Sequence, residues 1–127
     1  MLYLIGSPAA TAERIRALDV TRLLLAEIDL AGKRIELLRE IVSGLGRLAV
    51  LANVGISSAA LEMAEAEAAA SALGFQVTTL GIRSAEEIAP ALETLKGRAH
   101  ALYVVIDPLL GANRIRIHTL TDRKSVV

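Results

Sequence analysis

The stretch "LAVLANVGISSAALEMAEAEAAASA", Leu48 to Ala72, decides how the chain is read, because a short apolar run breaks at Asn53-Val54-Gly55 and an Ala- and Glu-rich segment follows. Leu48 to Ala52 has the length and bounded apolar character of a buried strand. Gly55 supplies a flexible bend, and Ser57 or Ser58 is expected to cap a helix running from about Ser58 to Leu73. In a parallel α/β sheet, ligands bind beyond the carboxyl ends of the strands, so the loop after Asn53 is the first candidate site. On the helix, Leu61, Ala64, Ala68 and Ala72 are expected to form the packed face, Glu62, Glu65 and Glu67 a solvated one, and Gly74 the stop.

Downstream the alternation continues. Phe75 to Ile82, "FQVTTLGI", reads as a strand whose Gln76, Thr78 and Thr79 suit a sheet edge. Ser84-Ala85-Glu86-Glu87 is a capping box, in which serine hydroxyl and glutamate carboxylate each serve the other residue's orphan amide. The helix it opens should bury Ile88, Leu92 and Leu95 and end at Gly97, with Pro90 kinking it or delaying its start. Ala101 to Ile106, "ALYVVI", is apolar throughout and β-branched, as a strand buried on both faces is. Asp107-Pro108 then fits a turn cap followed by a proline at a first helical position. Asn113 to Leu120 opens a further helix, with Ile117 and Leu120 inward and Arg114 and Arg116 outward.

Upstream, Asp29 can cap an amphipathic helix with Leu30, Leu37, Leu38, Ile41, Val42 and Leu45 on its apolar side, ending near Gly44. Gly32-Lys33 is not a phosphate loop, since Glu27 stands where its other glycine belongs and Arg34 where a Ser or Thr would follow. Gly44 and Gly46 precede a strand instead of following one, so the dinucleotide fingerprint is absent as well. Residues 1–28 form a poorly matched N-terminal segment. Met1 to Ala12 has an apolar start and small residues like the end of a signal peptide, without the basic region or the full apolar stretch. Thr11 to Leu25 carries only a poor helical face.

Composition narrows the function classes. The 127 residues suit one domain or part of one, and 54% hydrophobic content with only two Tyr, one Phe and no Trp implies an aliphatic core. Fourteen basic and fourteen acidic residues, interspersed, favour neither nucleic acid nor an anionic membrane. The absence of cysteine removes thiolate catalysis, disulfides and thiolate metal sites. No apolar run approaches the roughly 20 residues that cross a bilayer. His100 and His118 lack a carboxylate at ligand spacing, and no serine has a credible histidine partner, so neither a metal, a cofactor nor nucleophilic catalysis is indicated.

Strands alternating with helices, joined by right-handed crossovers, make a three-layer Rossmann-like α/β fold with a parallel sheet. The polar Phe75 strand belongs at an edge, which puts the Leu48 strand between it and the Ala101 strand, an order of 2-1-3. That order creates a switch point whose strand ends carry Asn53 and Asp107. Two polar residues distant in sequence therefore meet at one crevice, either as ligand groups or simply as turn caps.

From Val20 onward the chain resembles the second lobe of the periplasmic substrate-binding proteins of ABC transporters, in a family with aromatic-amino-acid-binding members. The resemblance is carried by "DLAGKRIELLREIVSGLGRLAVLANVG" (Asp29 to Gly55), "LGFQVTTLGIRSAEEIAPALETLKGRAHALYVVIDPL" (Leu73 to Leu110) and "NRIRIHTL" (Asn113 to Leu120). It implies one lobe of a type I periplasmic-binding-protein fold, with residues 29–121 as a partial solute-binding lobe. Asn53, Ser57, Ser58 and Asp107 would contact a small solute such as an amino acid. The implied activity is non-enzymatic. The parent protein would act in the periplasm or otherwise outside the cytoplasm, with an ABC permease as its partner. Against that family the first lobe, an export signal or anchor, and a closing strand and hinge are missing, so an incomplete binder is expected. Asp122 to Val127, "DRKSVV", departs from the family. One coding of it, GAT CGG AAG AGC GTC GTG, matches the start of a sequencing adapter, so these residues are expected to be an artefact. The apolar Ala101 strand would then be left open or be covered by the N-terminal segment. An effector-sensing domain of a transcriptional regulator shares the fold, but needs a helix-turn-helix that Thr11 to Leu25 does not provide; a receiver-like domain needs an acidic pair where Asn53-Val54-Gly55 stands.

Overall fold

The strand at Arg47–Asn53 sits inside the sheet because both its faces are apolar: every residue from Leu48 to Asn53 is buried. The computed structural model describes residues 2–4, 35, 46–95 and 97–121. In chain order these form β1 (Leu2–Leu4), β2 (Arg47–Asn53), α1 (Ser57–Ala72), β3 (Gln76–Ile82), a 3-10 turn (Ala85–Glu87), α2 (Ile88–Glu93), β4 (Ala101–Val104), α3 (Pro108–Ala112) and α4 (Arg114–Leu120). The helix expected from Asp29 to Gly44 lies outside the described residues, except that Ile35 is helical and fully buried. Thr11 to Leu25, expected to carry only a poor helical face, and Asp122 to Val127, expected to be an artefact, lie outside them altogether.

The sheet order is β1-β4-β2-β3. β2 runs parallel to both β3 and β4, the 2-1-3 arrangement expected from the polarity of the strands. β1 pairs antiparallel with the outer side of β4, Leu2 to Leu4 opposite Tyr103 to Ala101, so the N-terminal segment covers the edge that an apolar strand would otherwise leave open. Alternate residues feed two cores. Leu48, Val50, Ala52, Ala101, Tyr103 and Val105 face α1 and Ile35; Ala49, Leu51, Leu102 and Val104 face α2, α3 and α4 through Ile88, Leu92, Leu110 and Ile117. The result is an α/β fold in three layers.

Several expectations are corrected. Leu61, Ala64, Ala68 and Ala72 are exposed, and α1 packs instead through Ala59, Ala66 and Ala70, with Met63 and Leu73 beside them. Alanine lies on all sides of this helix, so its apolar pattern carries almost no directional signal. Glu62 is not simply solvated: it is half-buried and accepts a hydrogen bond from the Tyr103 hydroxyl at 2.9 Å. The last strand stops at Val104, and Ile106 turns out of the core with half its surface exposed. Leu120 is likewise exposed, whereas Ile117 is fully buried as expected.

The capping box forms as read, with Pro90 delaying the α-helix behind a 3-10 turn. The Glu87 carboxylate accepts from the backbone amides of Arg83 at 2.6 Å and Ser84 at 2.8 Å, and these bonds, with the Ser84 hydroxyl and the Arg83 charge, hold its pKa below 4.5. A lowered folded-state pKa means stabilisation that is present above the unfolded value and lost as pH falls through the folded one. Glu87→Ala is therefore expected to speed amide exchange at the start of α2 at neutral pH, with the difference from the unmodified chain shrinking as pH drops below 4.5. A difference that does not change with pH would contradict the carboxylate's role.

Candidate functional site

The carboxyl ends of β2 and β4 are joined side chain to side chain. Asn53 closes the ladder of β2, and its amide nitrogen donates to Asp107 Oδ2 at 2.9 Å. Its own Oδ1 accepts from the Gly55 amide at 3.0 Å, which bends the chain out of the strand. Asp107 is the N-cap of α3: its Oδ1 accepts from the Leu110 amide at 2.8 Å, and Pro108 follows in the first helical position as read from the sequence. Asn53 is buried and Asp107 half-buried. Each residue thus caps its own turn, and each also ties its turn to the other.

The pair leaves hydrogen-bonding capacity unused. Among the described residues, two of the carboxylate's acceptor positions on Asp107 are taken, one on each oxygen, and an ionised carboxylate offers about four. Next to it, α1 begins without a side-chain cap. The N-cap position falls on Ile56, one residue earlier than the serine expected there, because the Ile56 amide turns back to the Asn53 carbonyl at 3.2 Å. Ser57 and Ser58 therefore sit inside the first turn, exposed, and cap nothing. The amides of Ser57, Ser58 and Ala59 begin the helix with no intrahelical acceptor, at the positive end of its dipole.

Close packing sets the height of this loop. The Val54 amide donates to the Ile82 carbonyl at 2.9 Å, extending the ladder with β3 beyond Asn53. The Val54 side chain then lies over Gly81, where an added Cβ would come within 2.8 Å of Val54 Cγ1. Gly81→Ala is expected to cost about 1–3 kcal/mol, because the added methyl would press on a β-branched side chain that is stiff at χ1. It should also shift the amide resonances of Asn53 and Gly55; an unchanged spectrum and unchanged unfolding would show that Val54 does not pack there.

At the opposite end of the sheet His100 has a structural task. Its Nδ1 accepts from the amides of Gly46 at 3.2 Å and Arg47 at 3.3 Å, while its own amide donates to the Arg47 carbonyl. Nδ1 as acceptor leaves the proton on Nε2, so the Arg47 guanidinium 3.3 Å away is a neighbour and not a hydrogen-bond donor to it. Arg114 and Arg116 are exposed on α4. Among the described residues no group of three or more His, Asp or Glu could hold a metal ion, and no helix is long and apolar enough to cross a membrane.

No protein-family model matches the chain, and no curated protein matches it either. Among solved structures it is similar to an ABC domain in complex with L-Trp from Streptococcus pneumonia, with a TM-score of 0.68 and 19% sequence identity. The likeness covers 74% of this chain and 33% of that one, so the chain spans about a third of that protein's length. At this identity the likeness establishes a shared α/β fold.

Proposed function

We propose that the chain is a solute-binding lobe of an ABC-importer substrate-binding protein, one of two jaws that close on a small polar solute. The observation that carries this reading is the Asn53–Asp107 hydrogen bond across the switch point, beside the uncapped start of α1. In this reading Asp107 accepts from a cationic or hydroxyl group of the solute through its unused lone pairs. The Ser57 and Ser58 hydroxyls and first-turn amides meet a polar or anionic group, and exposed Ile106 lies against the solute's apolar part. No bond of the solute is made or broken. The parent protein acts outside the cytoplasm and delivers the solute to an ABC permease. The fold shared with a protein solved with L-Trp supports an amino acid or a similar molecule.

One jaw supplies about half of the contacts, whereas tight sites bury roughly 70–90% of a ligand's surface. Calorimetry of the isolated chain against a panel of amino acids is therefore expected to show binding weaker than micromolar. Micromolar binding by the monomer would overturn the two-jaw reading.

A further inference from the structure

Arg83 stands one residue beyond β3, at the same edge of the sheet as Asn53 and Asp107. The Val54–Ile82 hydrogen bond carries the β2–β3 ladder past Asn53 and brings Arg83 level with the Gly55 loop. A Cβ built on Gly55 would lie 4.0 Å from Arg83 Cγ, so the stem of the arginine passes beside the bend that separates Asn53 from Ser57. Its backbone is held in place by the Glu87 carboxylate, which takes the amides of both Arg83 and Ser84 on one oxygen. The side chain is exposed, its charge is felt by the Glu87 carboxylate, and its guanidinium hydrogen-bonds to none of the described residues. The carboxyl end of the sheet thus carries an anion after β4, Asp107, and a cation with a fixed backbone after β3, Arg83.

We propose that Arg83 is a specificity-determining residue of this crevice, taking an anionic group of the solute, most simply a carboxylate. The proposal rests on the solute-binding reading above. A guanidinium offers paired donors in a planar fork that matches a carboxylate, and its fixed backbone and Gly55-guided stem reduce what must be ordered on binding. The opposite signs of Asp107 and Arg83 also fix a direction for the solute along the sheet edge.

The test uses the full chain, with L-tryptophan and its carboxylate-free analogue tryptamine as probes, and dissociation constants from amide-shift titrations. Arg83→Gln is expected to weaken L-tryptophan about fivefold, the upper range for an exposed ion pair, and to leave tryptamine unchanged. Arg83→Lys should recover part of the loss. Because the hydrogen bonds of the capping box use the Arg83 backbone, and the Arg83 charge is the last and smallest influence on Glu87, both variants should keep the helical amide pattern of α2. Equal weakening of both probes, or no effect on either, would overturn the role of Arg83 while leaving solute binding intact. If neither probe moves the crevice amides of the unmodified chain, the solute-binding reading fails and the Arg83 role fails with it.

Discussion

Replacing Asn53 with aspartate is expected to destabilise the chain by about 2–3 kcal/mol at neutral pH, although the two side chains have nearly the same shape. The substituted carboxylate still accepts from the Gly55 amide through one oxygen. Its other oxygen faces Asp107 Oδ2, where the asparagine nitrogen now donates at 2.9 Å. Two like charges at that distance in a half-buried setting raise the pKa of the pair in the folded state above its unfolded value. The sign of the pH dependence follows. The folded variant holds a proton that the unfolded chain releases, so the deficit develops as pH rises through the carboxylate range and shrinks again on acidification. Asn53→Ala removes the same bond without adding charge and should cost about 2 kcal/mol with no such pH dependence. Chemical denaturation of both variants across pH, followed by circular dichroism, separates the two cases. Equal, pH-independent losses would mean that Asn53 and Asp107 are not in contact.

Tyr103→Ala is expected to be the more damaging change, at about 3–5 kcal/mol. Tyr103 is 1% exposed, opposite Val50 on β2, and packs in the core beneath α1. Its hydroxyl links sheet to helix by donating to Glu62. Tyr103→Phe keeps the ring and gives up this bond, so its cost should be about 1 kcal/mol. Urea unfolding of the two variants measures the split. A loss below about 2 kcal/mol for alanine would contradict the ring's burial.

The fold was legible where polarity had a direction. Thr78 and Thr79 in one strand against the uninterrupted apolar Ala101 run were enough to order the parallel strands, and Ser84 with Glu87 announced a helix start. Where the alphabet was nearly uniform, the reading failed. In "AEAEAAASA" every face offers alanine, so the buried Ala66 and Ala70 could not be told from the exposed Ala64, Ala68 and Ala72. The half-buried Glu62 was hidden among acidic neighbours that are exposed, and a hydrogen bond from a tyrosine on a distant strand distinguishes it. Serine at the start of α1 was a reasonable cap on propensity, but the Asn53 carbonyl and side chain already hold the loop and shift the cap to Ile56. The meeting of Asn53 with Asp107 followed from strand order, whereas their direct hydrogen bond did not. The sequence reading does not single out Arg83; the available signal is its place directly after a strand in the same parallel sheet, where crevice residues lie.

The central claim is that a small solute sits at the carboxyl edge of the sheet, over Asn53 and Asp107. Mapping amide shifts of the isotope-labelled chain during an L-tryptophan titration tests it most directly, because weak binding is still localised residue by residue. The account predicts that Gly55, Ser57, Ser58, Ile106 and Asp107 move together with one dissociation constant, while Gly46, Arg47 and His100 at the other end of the sheet stay still. Shifts gathered around His100 or along the outer face of α1, or no shifts up to the solubility of the probe, would contradict it.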